Sequence, residues 1–255
     1  MAEGIRVSRL KGLTFGNITI SNSDKSGIFL LRVEKPSTPS LNTFELTAPG
    51  RDGSVFLKDR YMVKDITVTI AIYKENLDER RSEQRRITAG LVHKEDKLYF
   101  HDEPDKYHIG EVFDEVKVVE QEYFTELSFT FKCKPFIFSD NSNTSWTGIT
   151  SRVTKQIDNK GNHESKPLVK VKGTATRVSV TFRDKAFSLA NVTGEIFVDC
   201  ENMNVYTIHE DKKKSVLSTF SGTFPSIPVG RSEVTIDGEA LNLQVDVIFT
   251  NTYIC

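Results

Sequence analysis

His101 and His108 bracket the acidic turn Asp102-Glu103-Pro104-Asp105-Lys106. If the flanking runs pair as a hairpin, two imidazoles and two carboxylates approach one another, a donor set suited to a divalent metal. Acidic residues beside Pro are also ordinary turn chemistry, and that plainer reading outweighs a metal site. A second charged tip, His209-Glu210-Asp211, precedes Lys212-Lys213-Lys214. The three lysines would suit contact with an anionic cell-wall polymer or a partner-facing loop, and a solvated loop is the default. Arg80, Arg81, Arg85 and Arg86 would suit phosphate binding, but Glu79 and Glu83 lie at helical spacing from them and favour a solvated, ion-paired face. Cys133, Cys200 and Cys255 are far apart and odd in number, with no CxxC pair, so they form neither a disulfide framework nor a zinc site. Cys133 falls in an alternating pattern and reads as a small core hydrophobe. HExxH, GxSxG, P-loop and GxGxxG signatures are missing, and nothing marks a carboxylate pair for glycoside hydrolysis. No catalytic residue, metal ligand or cofactor is therefore assigned, and the chain reads as a non-enzyme.

The elements that would position these residues are mostly strands. Within Asp65–Tyr73, Ile66, Val68, Ile70 and Ile72 share one face and Thr67 and Thr69 the other. Glu126–Lys134 alternates in the same way through Leu127, Phe129, Phe131 and Cys133. Near the C-terminus Leu241, Leu243, Val245, Val247 and Phe249 do so again. Shorter β-like runs cover 27–33, 110–119, 166–172, 177–182, 195–198 and 233–236, most of them bounded by Gly, Pro, Asn or Asp. One helix interrupts them. Asn76-Leu77-Asp78-Glu79 has the form of a capping box, and Leu77, Gln84, Ile87 and Leu91 follow at helical spacing, which predicts a helix over 77–92 with Gly90 as a soft spot.

Composition narrows the classes further. The 255 residues carry 34 basic and 35 acidic side chains, a formal net charge of −1. Residues 1–138 hold 21 and 22 of these, so neither half is a basic arm or an acidic tail. That balance argues against a protein whose main task is gripping nucleic acid or an anionic membrane. The N-terminal residues lack the apolar run of a signal peptide, and no stretch approaches the ~18 apolar residues of a membrane span, so a cytoplasmic origin is expected. Seventeen Phe against seven Tyr and one Trp suit a core or protein interface better than a sugar platform. The polar stretch Ser139-Asp140-Asn141-Ser142-Asn143-Thr144-Ser145 reads as an interdomain linker. It would divide the chain into a domain over 1–138, a linker over 139–145 and a second domain over 146–255. From the residues alone this is a two-domain, mostly β, structural or binding protein.

An ordered set of local patterns adds a resemblance. It begins with Pro49-Gly50-Arg51-Asp52-Gly53, the long strand and the single helix. Lys97-Leu98-Tyr99-Phe100-His101-Asp102-Glu103-Pro104-Asp105-Lys106-Tyr107 and Phe129-Thr130-Phe131-Lys132-Cys133-Lys134-Pro135-Phe136 follow. Beyond 145 come Asn159-Lys160-Gly161-Asn162-His163-Glu164-Ser165-Lys166-Pro167, Val198-Asp199-Cys200-Glu201, Gly222-Thr223-Phe224-Pro225 and Pro228-Val229-Gly230. Together these resemble the distal tail proteins (Dit) of siphophages that infect Gram-positive bacteria, in a short form from a phage or prophage. The resemblance implies an N-terminal ring-forming β-domain with one helix and a C-terminal galectin-like β-sandwich, its last strand returning toward the first domain. It also implies a homohexameric hub ring at the virion tail tip, assembled in the host cytoplasm. The implied partners are the major tail protein, a tail-associated lysin or hub protein, and receptor-binding or baseplate proteins. DNA would only pass through the lumen during genome ejection, and no membrane is involved. Subunit contacts would then fall at Gly50, Arg51, Asp52 and Gly53, with Lys212, Lys213 and Lys214 as a partner-facing loop. A cell-wall carbohydrate-binding module acting in host adhesion stands as the alternative.

Overall fold

The computed structural model describes residues 11–23, 26–47, 49–50, 52–92 and 94–254. It is mostly β with one α-helix, and it divides into two compact units, residues 1–137 with 254–255, and residues 138–253. In the first unit the strands are β1 (Gly12–Phe15), β2 (Ile18–Ser21), β3 (Ile28–Glu34), β4 (Leu41–Leu46), β5 (Val55–Tyr61) and β6 (Lys64–Ile72). After helix α1 (Leu77–Leu91) come β7 (Asp96–Phe100), β8 (Lys106–Glu111), β9 (Lys117–Glu120) and β10 (Thr125–Cys133). The second unit contains β11 (Ile137–Ile149), β12 (Val153–Asn159), β13 (Leu168–Phe182), β14 (Lys185–Asp199), β15 (Asn204–His209), β16 (Lys212–Ser215), β17 (Phe220–Gly222), β18 (Gly230–Glu239) and β19 (Asn242–Tyr253).

The period-two runs place the first core. Ile66, Val68, Ile70 and Ile72 of β6 are buried with Leu127, Phe129, Phe131 and Cys133 of β10. The two strands pair antiparallel over nine residues, from Lys64↔Cys133 to Ile72↔Thr125. Between them Thr67 and Thr130 hydrogen-bond through their hydroxyls at 3.0 Å on the opposite face. Antiparallel pairing links β2–β1–β7–β8–β10–β6–β3 in that order. The Asn22 side chain then acts as a strand partner for Leu30. Its amide donates to the Leu30 carbonyl at 3.1 Å and its Oδ1 accepts the Leu30 N–H at 2.6 Å. The run of strands thereby returns on itself around the core. Burial pushes the Cys133 thiol up to about 12, so it stays a neutral, small hydrophobe.

Helix α1 starts where the capping residue predicts. Asn76 Oδ1 accepts the Asp78 N–H at 2.9 Å, and Asp78 and Glu79 occupy the positive first turn. The helix buries Ile87 and Leu91 in the first core. Gly90 is a packing contact rather than a soft spot, because a Cβ there would lie 2.6 Å from Ile18 Cδ1. The arginine face also departs from expectation. Arg86 does pair with Glu83, at 2.6 Å, but Arg81 reaches out to Glu120 on β9. Arg80 is buried, donating from Nη1 to the Gln121 carbonyl at 2.9 Å and from Nη2 to the Glu122 carbonyl at 3.2 Å. A side chain read as solvated is thus a clamp between helix and loop.

In the second unit the strands β13 and β14 form one long antiparallel hairpin, paired from Leu168↔Asp199 to Phe182↔Lys185. Its halves serve different neighbours. Residues 168–174 of β13 pair with β19, and residues 177–182 pair with β18. Pairing lapses at Thr176 and Asn191, and Asn191 has φ of 53°. Core-facing parity switches there on both strands. Val169, Val171 and Ala175 give way to Val178, Val180 and Phe182, and Phe187 and Leu189 to Val192, Ile196 and Val198. That switch explains why 166–172 and 177–182 read as two strands in the sequence. Residues 139–145 are likewise corrected, because they lie inside β11 rather than in an open linker. Their polarity reports exposure, not conformation: a strand with solvent beside it carries Ser, Thr and Asp as readily as a loop. β11 pairs with β19 and delivers Trp146 and Ile149 to the second core.

Candidate assembly surface

The hairpin β4–β5 pairs with no other strand among the described residues. Its register puts Phe44 opposite Leu57 and Leu46 opposite Val55, so these four side chains share one face. Glu45 opposite Phe56 lies on the other. All four apolar residues of the first face are exposed, Phe44 at 57%, and Phe56 behind them at 61%. Tyr61, Met62 and Val63 continue the apolar exposure at the hairpin base. A two-stranded hairpin is marginal by itself, and a monomeric protein rarely leaves such a patch in water. The base is held by the Met62 N–H donating to the Ser40 carbonyl at 2.8 Å and by Tyr61 standing edge-on to Phe136 at 5.3 Å. At the tip lie Gly50, Asp52 and Gly53, the turn assigned to subunit contacts; Arg51 lies outside the described residues. Gly50 and Gly53 have φ of 77° and 83° with nothing within 4 Å of where a Cβ would stand, so backbone conformation rather than crowding calls for glycine.

Exposed apolar residues also lie on β9 and in the turns that flank it, with Val118 and Val119 on opposite faces of the strand. Phe113, Val118, Val119 and Tyr123 are exposed, Tyr123 at 73%. β9 is hydrogen-bonded to β10 on one side, and no pairing is found on its other side among the described residues. Arg81 donates to both Glu120 carboxylate oxygens, at 2.9 and 3.1 Å, which holds that carboxyl below its usual range and raises the guanidinium. Tyr123 also lines an open pocket of about 590 Å³ with Tyr73, Glu75, Glu79 and Glu122. Among the described residues no group of His, Cys, Asp and Glu is arranged to hold a metal ion.

Residues 14–133 match the family model of the phage tail protein RIFT-related domain. That match spans most of the first unit. No curated protein matches the sequence. Among solved structures, the chain is similar to the Dit protein of phage SPP1, described as a paradigm of the hub adsorption apparatus in phages infecting Gram-positive bacteria. The identity is 14%, the TM-score 0.72, and the alignment covers 95% of this chain and 99% of that one. Two structures of the phage p2 baseplate in its activated conformation, with strontium and with calcium, align at 11% and 10% identity with TM-scores of 0.49 and 0.47. Each covers 93% of this chain and 97% of the other. The expected resemblance to distal tail proteins is thus matched by a phage tail family model over residues 14–133 and by the fold of nearly the whole chain.

The other residues singled out by type and spacing fall into plainer roles. Within the first unit, β7 and β8 pair as the hairpin anticipated, with Leu98 opposite His108. The imidazoles go separate ways, however. His101 Nε2 lies 2.9 Å from Thr14 Oγ1, while His108 is buried edge-on to Phe100 and its Nδ1 has no partner among the described residues. Burial and the nearby Lys64 and Lys35 push His108 down to about 3. Lys212, Lys213 and Lys214 are exposed on β16, across a turn whose Glu210 and Asp211 have φ of 48° and 59°. Lys213 Nζ sits 4.5 Å above the Tyr206 ring, Tyr206 stacks on Phe197 at 5.2 Å, and Lys170 Nζ lies 5.6 Å from Phe197. This row closes on itself, with a lysine over each outer aromatic face. The apolar face of β4–β5 and the exposed apolar residues around β9 were missed by sequence reasoning. The alternation of Phe44, Leu46, Val55 and Leu57 about the Pro49–Gly53 turn was the available signal.

Proposed function

We propose that the chain is a non-catalytic distal tail protein that closes into a hexameric ring at the tail tip of a siphophage infecting a Gram-positive host. In this reading the ring joins the tail tube to the tail-associated lysin and to receptor-binding or baseplate proteins. It is built in the host cytoplasm, and its lumen lets DNA through during ejection. The single observation that carries the proposal is the bare apolar face of β4–β5 on a domain of the phage tail family. Such a face is stable in a particle only when a neighbour covers it. A formal charge of −1 suits a conduit that must not hold DNA. The second unit is read as the galectin-like sandwich of these proteins, placed outside the ring.

A wall-glycan-binding role has weaker support, since the Lys170–Phe197–Tyr206–Lys213 row already covers its aromatic faces with its own cations. Sedimentation of the purified chain at tens of micromolar tests the proposal. A six-chain species is expected, and a strict monomer of 28.8 kDa, alone and with tail-tube or hub partners, would overturn it.

A further inference from the structure

The sequence holds two Asp-Gly pairs, Asp52-Gly53 and Asp237-Gly238, and no Asn-Gly pair. In an Asp-Gly pair the glycine nitrogen can attack the neighbouring side-chain carboxyl carbon, since no Cβ obstructs it and the glycine backbone turns freely. A Cγ–N bond forms, and the amide proton and the hydroxyl of the protonated carboxyl leave together as water. Water then opens the resulting succinimide at either carbonyl. One opening restores Asp; the other runs the main chain through Cβ and leaves isoaspartate.

The fold gives the two pairs opposite settings. Asp52 and Gly53 are exposed at the tip of β4–β5, a hairpin that pairs with no other strand among the described residues. Nothing lies within 4 Å of where a Gly53 Cβ would stand, and among the described residues no hydrogen bond is found for its N–H. Asp237 and Gly238 lie inside β18, paired with Ser179 and Val178 of β13. A Cβ on Gly238 would stand 2.1 Å from the Arg177 carbonyl oxygen, so the neighbouring strand crowds this glycine. The Gly238 N–H donates to Asp237 Oδ1 at 2.9 Å. Its nitrogen therefore presents a hydrogen, not a lone pair, to the carboxyl, and the paired strand resists the peptide rotation that would change this.

We propose that Asp52-Gly53 is a site of spontaneous succinimide and isoaspartate formation in the folded chain, with water as the only co-reactant, and that Asp237-Gly238 is held inert by its strand. The succinimide removes the Asp52 charge, and isoaspartate adds one carbon to the main chain at the hairpin tip. Both change the turn that the resemblance assigns to subunit contacts. The chemistry needs no partner and stands apart from the ring reading.

The test holds the purified chain at about 1 μM in heavy-oxygen water, at about 37 °C and pH about 6. The protein is then digested in ordinary water and its peptides are mapped by mass spectrometry. The Asp52 peptide is expected to gain heavy oxygen, and part of it should co-elute with a synthetic isoaspartyl standard. The Asp237 peptide should label at least about tenfold more slowly, and in urea the two should label at similar rates. Gly53→Ala, at an exposed position, should slow the Asp52 reaction severalfold. An unlabelled Asp52 peptide, equal labelling of the two pairs without urea, or undiminished labelling of the Gly53→Ala variant would overturn the proposal.

Discussion

Phe131→Ala probes whether the two cores are separate, as their residue sets indicate. Phe131 is fully buried on β10, with its ring 4.8 Å from Phe15 and 5.5 Å from Phe129. Truncation removes the transfer energy of an aromatic and leaves a cavity among side chains held by a nine-residue strand pairing. The cost is about 3–5 kcal/mol. Against a typical domain stability of about 5–15 kcal/mol this is a large fraction, and it should lower the melting temperature of the first unit by about 10–20 °C. The chain supplies its own control, because its single tryptophan, Trp146, is buried in the second core. Urea unfolding followed by far-ultraviolet circular dichroism and by tryptophan fluorescence reads the two units differently. The substitution should shift the circular dichroism transition attributable to the first unit while the Trp146 transition stays within error of wild type. A cost under 1 kcal/mol would refute the packing argument. Equal shifts of both signals would refute the separation of the cores.

Three further outcomes follow from particular groups. His108 takes up a proton at about 3 when folded against an ordinary value of 6.5, so the unfolded chain binds more protons between those values. Stability is complete above pH 6.5 and should fall by up to about 1.4 kcal/mol per pH unit as acid is added, and His108→Phe should flatten that slope in denaturation curves from pH 7 to 4. An unchanged slope would show that His108 is not the group responsible. Arg80→Ala should destabilise the first unit by roughly 2–3 kcal/mol, since two charged hydrogen bonds to the Gln121 and Glu122 carbonyls are lost, and Arg80→Lys should recover little because an ammonium cannot span both. Arg81→Ala, which breaks an exposed pair, should cost much less by the same measurement.

What could be read from the sequence was what period and capping dictate. β6 and β10 stand out because each alternates cleanly over a face that is entirely buried, and α1 because Asn76 caps it and Ile87 and Leu91 recur on one side. Longer-range facts were hidden. The parity switch at Thr176 and Asn191 makes one fifteen-residue strand look like two, since alternation holds only within each half. The stretch 139–145 looks like a linker because composition records how wet a segment is, not whether its backbone is paired. Arg80 looked like its three neighbours, and only the carbonyls of a loop forty residues away distinguish it. Of the exposed β4–β5 hairpin, only the Pro49–Gly53 turn at its tip was visible. The apolar faces around it were not, because sequence alternation marks a half-buried strand without saying whose body covers it.

The central claim concerns where the chain sits, and gold-labelled antibody against it on intact tail particles tests that most directly. Electron micrographs should show label confined to the distal tip, once per particle. Label distributed along the tube, or no label on particles that carry the other tail proteins, would contradict the account.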